Sequence, residues 1–196
     1  MAKHLRDFTR EDFNQLYPVE LKDHNPDWKH IFEKEKKLIQ KRTNPNQILR
    51  IEHFGSTSIA GIKAKPYIDL LIEIPQSLLF DQELIHQFEQ LGYTHWEVPQ
   101  RENIDAYMSF GKGYNAEGRN EQIFHIHMCP KENAMWNQLK FKDYLNSNPE
   151  RAQAYEALKL DLASKYRHDR GSYVLSKTEF IKETLKMIEE ESGEKK

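Results

Sequence analysis

The sequence has a single cysteine, Cys129. No internal disulfide framework can form, and a reducing compartment is the expectation. No apolar run approaches the roughly 20 residues that span a bilayer. The opening residues, Met-Ala-Lys-His-Leu-Arg-Asp, hold no apolar core of signal-peptide length. An excess of one charge is also missing, since 29 Lys and Arg stand against 31 Asp and Glu, a formal net charge of −2. A global basic field for nucleic acid is therefore absent, though a local basic patch stays open. A cytoplasmic protein without membrane or nucleic-acid partners is expected. No internal repeat and no low-complexity linker divides the chain.

Aromatic residues are plentiful: ten Phe, nine Tyr and three Trp in 196 residues, enough for a real core in one domain. Residues 1–17 read as a helical extension, with Leu5, Phe8, Phe13 and Leu16 among charges and a helix start at Thr9 and Asp12. Asn25-Pro26-Asp27 is a stronger start, and Trp28, Ile31, Phe32, Leu38 and Ile39 then form one apolar stripe to about Lys41. The cluster Lys34, Lys36, Lys37, Lys41 and Arg42 fits a solvated face that complements the helix dipole.

Residues 48–54 read as a strand closed by Gly55-Ser56-Thr57-Ser58. Pro66 must open the next element, and Tyr67 to Ile74 reads as a central strand buried on both faces. A helix over Asp81 to Leu91, stopped by Gly92, and strands at 93–98, 106–110 and 121–129 follow. The last two strands flank a polar, glycine-containing loop and predict a β-hairpin. From about 131 to 190 the pattern is helical, with breaks at Asn148-Pro149 and at His168-Asp169-Arg170-Gly171.

The chemistry gathers at few places. Gly55 lets the backbone approach an anion, and the Ser56 and Thr57 hydroxyls add donors; a plain Gly-Ser turn has the same composition. Asp69 lies in the apolar strand that follows, where an ionised carboxylate needs a partner or a metal. Glu73 shares its face roughly 13 Å further on, at about 3.3 Å per residue, and fits a solvated strand end. His125 and His127 share a strand face roughly 7 Å apart, a way to present two imidazoles to a metal or to phosphate, or a hydrogen-bonded pair. His53 precedes the turn, and Lys65 precedes the acid strand, where it could pair with phosphate or with Asp69. Cys129 reads as a buried structural thiol.

The line His53-Phe54-Gly55-Ser56-Thr57-Ser58-Ile59-Ala60-Gly61-Ile62, with Lys65-Pro66-Tyr67-Ile68-Asp69, resembles the signature of the GrpB family in the nucleotidyltransferase superfamily. His125-Ile126-His127, Phe141-Lys142-Asp143-Tyr144-Leu145, and Tyr173 with Lys177 and Phe180-Ile181 extend the resemblance, in order, over about residues 18 to 188. It implies an α/β (α+β) fold: a nucleotidyltransferase-like mixed β-sheet flanked by helices, with a helical C-terminal part. It further implies a nucleotide or other phosphorylated small molecule as ligand. Gly55, Ser56, Thr57, His53, Lys65, Lys142 and Lys177 would hold phosphate. A divalent metal (Mg, Mn or Zn) would sit on Asp69, His125 and His127, for transfer of a nucleotidyl or phosphoryl group. The sequence departs from the superfamily's acid pair, because the position alternating with Asp69 is Leu71. Ala60 stands where the family usually has Pro, and Lys142 and Asn146 where it has arginines. A non-catalytic phosphate-binding or enzyme-docking module is therefore the alternative.

Overall fold

The computed structural model describes residues 7–100, 105–118 and 121–193, so the expectation for Leu5 and part of the loop before the last strand lie outside the described residues. Helices α1 (Arg10–Leu16) and α2 (Asp27–Arg42) lead into strand β1 (Arg50–Phe54). A short 3-10 turn, Ser56–Ser58, and strand β2 (Tyr67–Glu73) follow, then α3 (Gln82–Gln90), β3 (Thr94–Val98), β4 (Tyr107–Lys112) and β5 (Ile123–Cys129). The chain closes with α4 (Asn137–Ser147), α5 (Pro149–Lys165), α6 (Arg170–Leu175) and α7 (Thr178–Ser192). The expected mixed α/β class holds. The single last helix expected around Val174 to Ile188 is two helices, α6 and α7.

The five strands form one sheet in the order β1-β2-β5-β4-β3. β2 pairs parallel with β5, and every other pairing is antiparallel, including the expected β4–β5 hairpin. The parallel step needs a long crossover, which α3, β3 and β4 supply. β2 is central, with Ile68, Leu70 and Ile72 wholly buried. These three side chains join Ile126 and Met128 of β5 in a core with Trp28 and Phe32 of α2 and Phe88 of α3. Burying each such side chain contributes roughly 1.5–3 kcal/mol.

The alternation that sends those residues to the α2–α3 side sends Asp69, His125 and His127 to the other. There the C-terminal helices cover the sheet. Phe141, Leu145 and Tyr155 of α4 and α5 pack on Ile59 and Ile62 behind the Gly-Ser turn. α1 lies over the same side, started by a Thr9–Asp12 capping box. It is fixed to α6 by an Arg10–Asp169 ion pair of 2.6 Å and by the Arg170 N–H donating to Asn14 Oδ1 at 3.2 Å. No helix among the described residues is long and apolar enough to cross a membrane.

Candidate functional site

A cleft of about 660 Å³ lies between the sheet and helices α4, α6 and α7. Its floor is set by strand register. Asp69 of β2 stands opposite His125 of β5 on one side and Phe54 of β1 on the other. Leu71, one pleat further along, stands opposite His127. The missing acid of the pair is thus a wholly buried Leu71, packed with Phe54, Cys129 and Met135.

Gly55 holds φ +72° and ψ −176°, a region that is essentially glycine's alone. A Cβ at Gly55 would stand 2.9 Å from Asp69 Cγ and closer still to Oδ2. The glycine therefore does two things: it makes the turn, and it leaves room for the carboxylate beside it. Asn146 of α4 clamps the turn, accepting from the Ala60 N–H at 2.9 Å and donating to Ser58 O at 3.1 Å.

Hydrogen bookkeeping fixes how Asp69 is held. Arg170 Nη2 donates to the Tyr114 hydroxyl at 2.9 Å, so the one hydroxyl proton is free to go to His125 Nε2, with which Tyr114 is in close contact. His125 then carries its proton on Nδ1, which lies 3.4 Å from Asp69 Oδ1. Burial lowers the His125 pKa, keeping it neutral, against the pull of Asp69. Burial raises the Asp69 carboxyl, but His125, His127 and Lys65 outweigh it, and the net direction is down.

Cations dominate the rest of the lining. Lys65, Lys142, Arg170, Lys177 and Lys182 border the cleft, and Asp69 is the one carboxylate among its lining residues. Lys142 is paired with Asp143 at 2.8 Å. Lys65, Arg170, Lys177 and Lys182 have no ion-pair partner among the described residues. Lys65 instead lies over the rings of Tyr67 and Tyr173, at 4.8 and 5.5 Å, and Lys177 over Tyr173 at 4.7 Å. Burial, then the Arg170 and Lys177 charges, push the Lys65 pKa well below the usual lysine value.

Of the residues picked from sequence, Gly55, Ser56, Lys65, Asp69, His125, His127, Lys142 and Lys177 all line this cleft. His53 and Thr57 do not. His53 stands opposite Leu70, on the core side of the sheet, where its ring stacks on Phe32 at 4.7 Å. The Thr57 hydroxyl donates to Tyr67 O at 2.9 Å and therefore accepts from His53 Nε2 at 3.1 Å. Both are committed to holding the turn onto β2. Glu73 is outside the cleft lining, at the strand end expected for it. Cys129 is wholly buried, and burial pushes its thiol up to about 12. Sequence reasoning missed Arg170, read as part of a helix break, and Tyr114, which fell in a loop.

A profile of the GrpB protein family matches residues 18–187. The chain belongs to the GrpB family. It is 36% identical over 168 residues to the glutamate-rich protein GrpB of Alkalihalophilus pseudofirmus, covering 85% of this chain and 94% of that protein. It is also 36% identical over 171 residues to YqkA of Bacillus subtilis, covering 85% of this chain but 47% of that protein. The solved structure of the conserved protein GrpB from Enterococcus faecalis superposes with a TM-score of 0.69 at 28% identity, over 86% of this chain and 96% of that one. A Cid1 poly(U) polymerase structure reaches a TM-score of 0.47 at 16% identity, over 80% of this chain and 47% of that one, too slight a likeness to argue from.

The superfamily resemblance implies a divalent metal held by several acids. The donors in this GrpB-family chain do not fit that set. Among the described residues, no three His, Cys, Asp or Glu side chains form a metal-holding group. Asp69 stands without a second acid, and the two His125 nitrogens face Asp69 and Tyr114. His127 keeps a buried Nδ1 without a hydrogen-bond partner among the described residues.

Proposed function

We propose that the cleft binds the phosphate groups of a nucleotide or other phosphorylated small molecule. The observation that carries this reading is the set of four cations, Lys65, Arg170, Lys177 and Lys182, that line one cleft without an ion-pair partner among the described residues. In a chain of net charge −2 such a concentration is local, not a consequence of composition. Lys65, Arg170 and Lys177 are partly buried, and such cations left unpaired are costly, a cost that an anionic ligand offsets; Lys182 is exposed at the rim. Gly55 and Ser56 add a backbone turn and a hydroxyl at the cleft wall.

Calorimetric titration with tripolyphosphate and ATP tests it. Binding should fall at least tenfold in Lys65→Ala and in Lys177→Ala, and should weaken as salt is raised. No binding of either anion, or an affinity in both variants equal to the parent's, would overturn the reading.

A second reading, transfer of a nucleotidyl or phosphoryl group, is favoured by Asp69, an ionised carboxylate held among those cations. Asp69→Asn removes the one negative charge of the cleft lining, so phosphate binding should tighten while turnover of labelled nucleotide disappears. Retained turnover would take Asp69 out of the mechanism. Binding without turnover in the parent protein would leave the non-catalytic module.

A further inference from the structure

Behind the cleft lies a second cavity, of about 470 Å³, between α1, β3, β4 and α6. Its character differs from that of the cleft. The rings of Phe13, Trp96 and Tyr114 line it, together with Ser109, His127 and Arg170. Trp96, Ser109 and His127 stand opposite one another across three strands, so they share one face of the sheet. Gly111, next along β4 on that face, makes the room: a Cβ there would come within 2.8 Å of the Trp96 ring and 3.2 Å of the Tyr114 ring. Phe13 meets Trp96 and Tyr114 edge-on, at 6.4 and 5.3 Å between ring centres.

Two buried nitrogens of residues in this wall, His127 Nδ1 and Arg170 Nη1, have no hydrogen-bond partner among the described residues. Buried polar groups are almost always paired, so two orphans in the wall shared by the two cavities point to an absent polar partner, an acceptor in the case of Arg170. An apolar, ring-lined cavity with a few convergent polar groups is the usual form of a small-molecule site.

We propose that this cavity binds a flat aromatic or heteroaromatic ring carrying an oxygen acceptor, as a second ligand beside the phosphate in the cleft. The ring packs among Phe13, Trp96 and Tyr114, and its oxygen accepts from Arg170 Nη1. His125, His127 and Arg170 line both cavities and form the partition between them. Tyr114 ties Arg170 to His125 within that partition. The two ligands are therefore separate molecules meeting at one wall, with Arg170 shared between them. This pairing rests on the phosphate reading of the cleft, but ring binding itself does not.

The probes are uridine, whose base offers a ring carbonyl, and benzoate, which offers an aromatic carboxylate. The signal is Trp96 emission, checked against Trp96→Phe, with tripolyphosphate titrated into the same samples. A saturable emission change with uridine identifies a base-like ligand, and one with benzoate an aromatic acid. Either change should vanish in Trp96→Phe and weaken at least tenfold in Ser109→Leu, whose side chain fills the cavity. Tripolyphosphate affinity should stay within twofold in Ser109→Leu. Phe13→Ala, on α1 and off the sheet, should weaken ring binding by a similar factor if Ser109→Leu fails to fold. No saturable change with either probe, or unchanged affinity in both cavity variants, would overturn the proposal. Ring binding that persists while tripolyphosphate fails to bind would sink the cleft reading alone.

Discussion

Gly55 and Asp69 approach one another more closely than any side chain at position 55 would allow, and Gly55→Ala tests that approach. The residue sits at φ +72° and ψ −176°, where an alanine is strained by roughly 1–3 kcal/mol. Its new Cβ would also lie 2.9 Å from Asp69 Cγ and 3.0 Å from Asp69 Cβ, well inside the 3.5–4.0 Å at which carbon atoms rest against one another. Asp69 is tied down by β2 and its pairing with β5, so the carboxylate must rotate away. It then loses its place 3.4 Å from His125 Nδ1 and leaves a half-buried charge poorly satisfied, a cost of roughly another 1–3 kcal/mol. Urea denaturation of Gly55→Ala, Asp69→Ala and the double variant measures both parts. In the Asp69→Ala background the carboxylate is gone, and Gly55→Ala should cost only its backbone strain and the remaining 3.0 Å approach to the Cβ at position 69. A coupling of about 1 kcal/mol or more is expected between the two sites. Gly61, at φ +76° with nothing within 4 Å of its would-be Cβ, is the control for strain without a clash. Effects at Gly55 and Asp69 that add to within roughly 0.5 kcal/mol would refute the close approach as an energetic fact.

Two other outcomes follow from the same structure. Burial holds both His53 and His127 near pKa 4, against an ordinary 6.5. The unfolded chain therefore binds more protons below pH 6.5, and stability should fall from there to about pH 4, by up to roughly 3 kcal/mol for each ring. Asp69, whose pKa is also depressed, adds a loss at still lower pH as it protonates in the folded state. Urea midpoints across pH 4 to 7 should show this slope in the parent and a shallower one in His53→Gln; equal slopes would contradict it. Leu70→Ala empties a wholly buried position at the centre of the sheet and should cost roughly 2–5 kcal/mol, and a midpoint shift worth under about 1 kcal/mol would mean the core relaxes around it.

Much of the fold was legible because its signals are local. Pro66 and the apolar run after it mark β2 as central, and strict alternation at 123–129 is enough to separate His125 and His127 from Ile126. The face assignment of β1 was not legible. Residues 48–54 alternate imperfectly, and only the pairing of His53 with Leu70 shows that this imidazole turns to the core. Arg170 was hidden for a different reason. Its neighbours Asp169 and Gly171 carry the marks of a helix boundary, and the boundary is real, since Asp169 caps α6. Nothing along the chain says that the next side chain crosses to Tyr114, far away in sequence. Lys177 was found by the family resemblance and not by any local pattern; it reaches the cleft because the chain breaks between α6 and α7.

The parallel pairing of β2 with β5 carries a kinetic consequence. Asp69 and His125 belong to strands that cannot meet until the whole crossover through α3, β3 and β4 has been traversed. Loop-closure entropy must be met before that contact gives any return, so the centre of the sheet forms late and dominates the folding barrier. Its amides should exchange with deuterium only through global opening. The cleft therefore has no partly folded precursor, and its ability to hold an anion should appear and vanish together with the entire sheet.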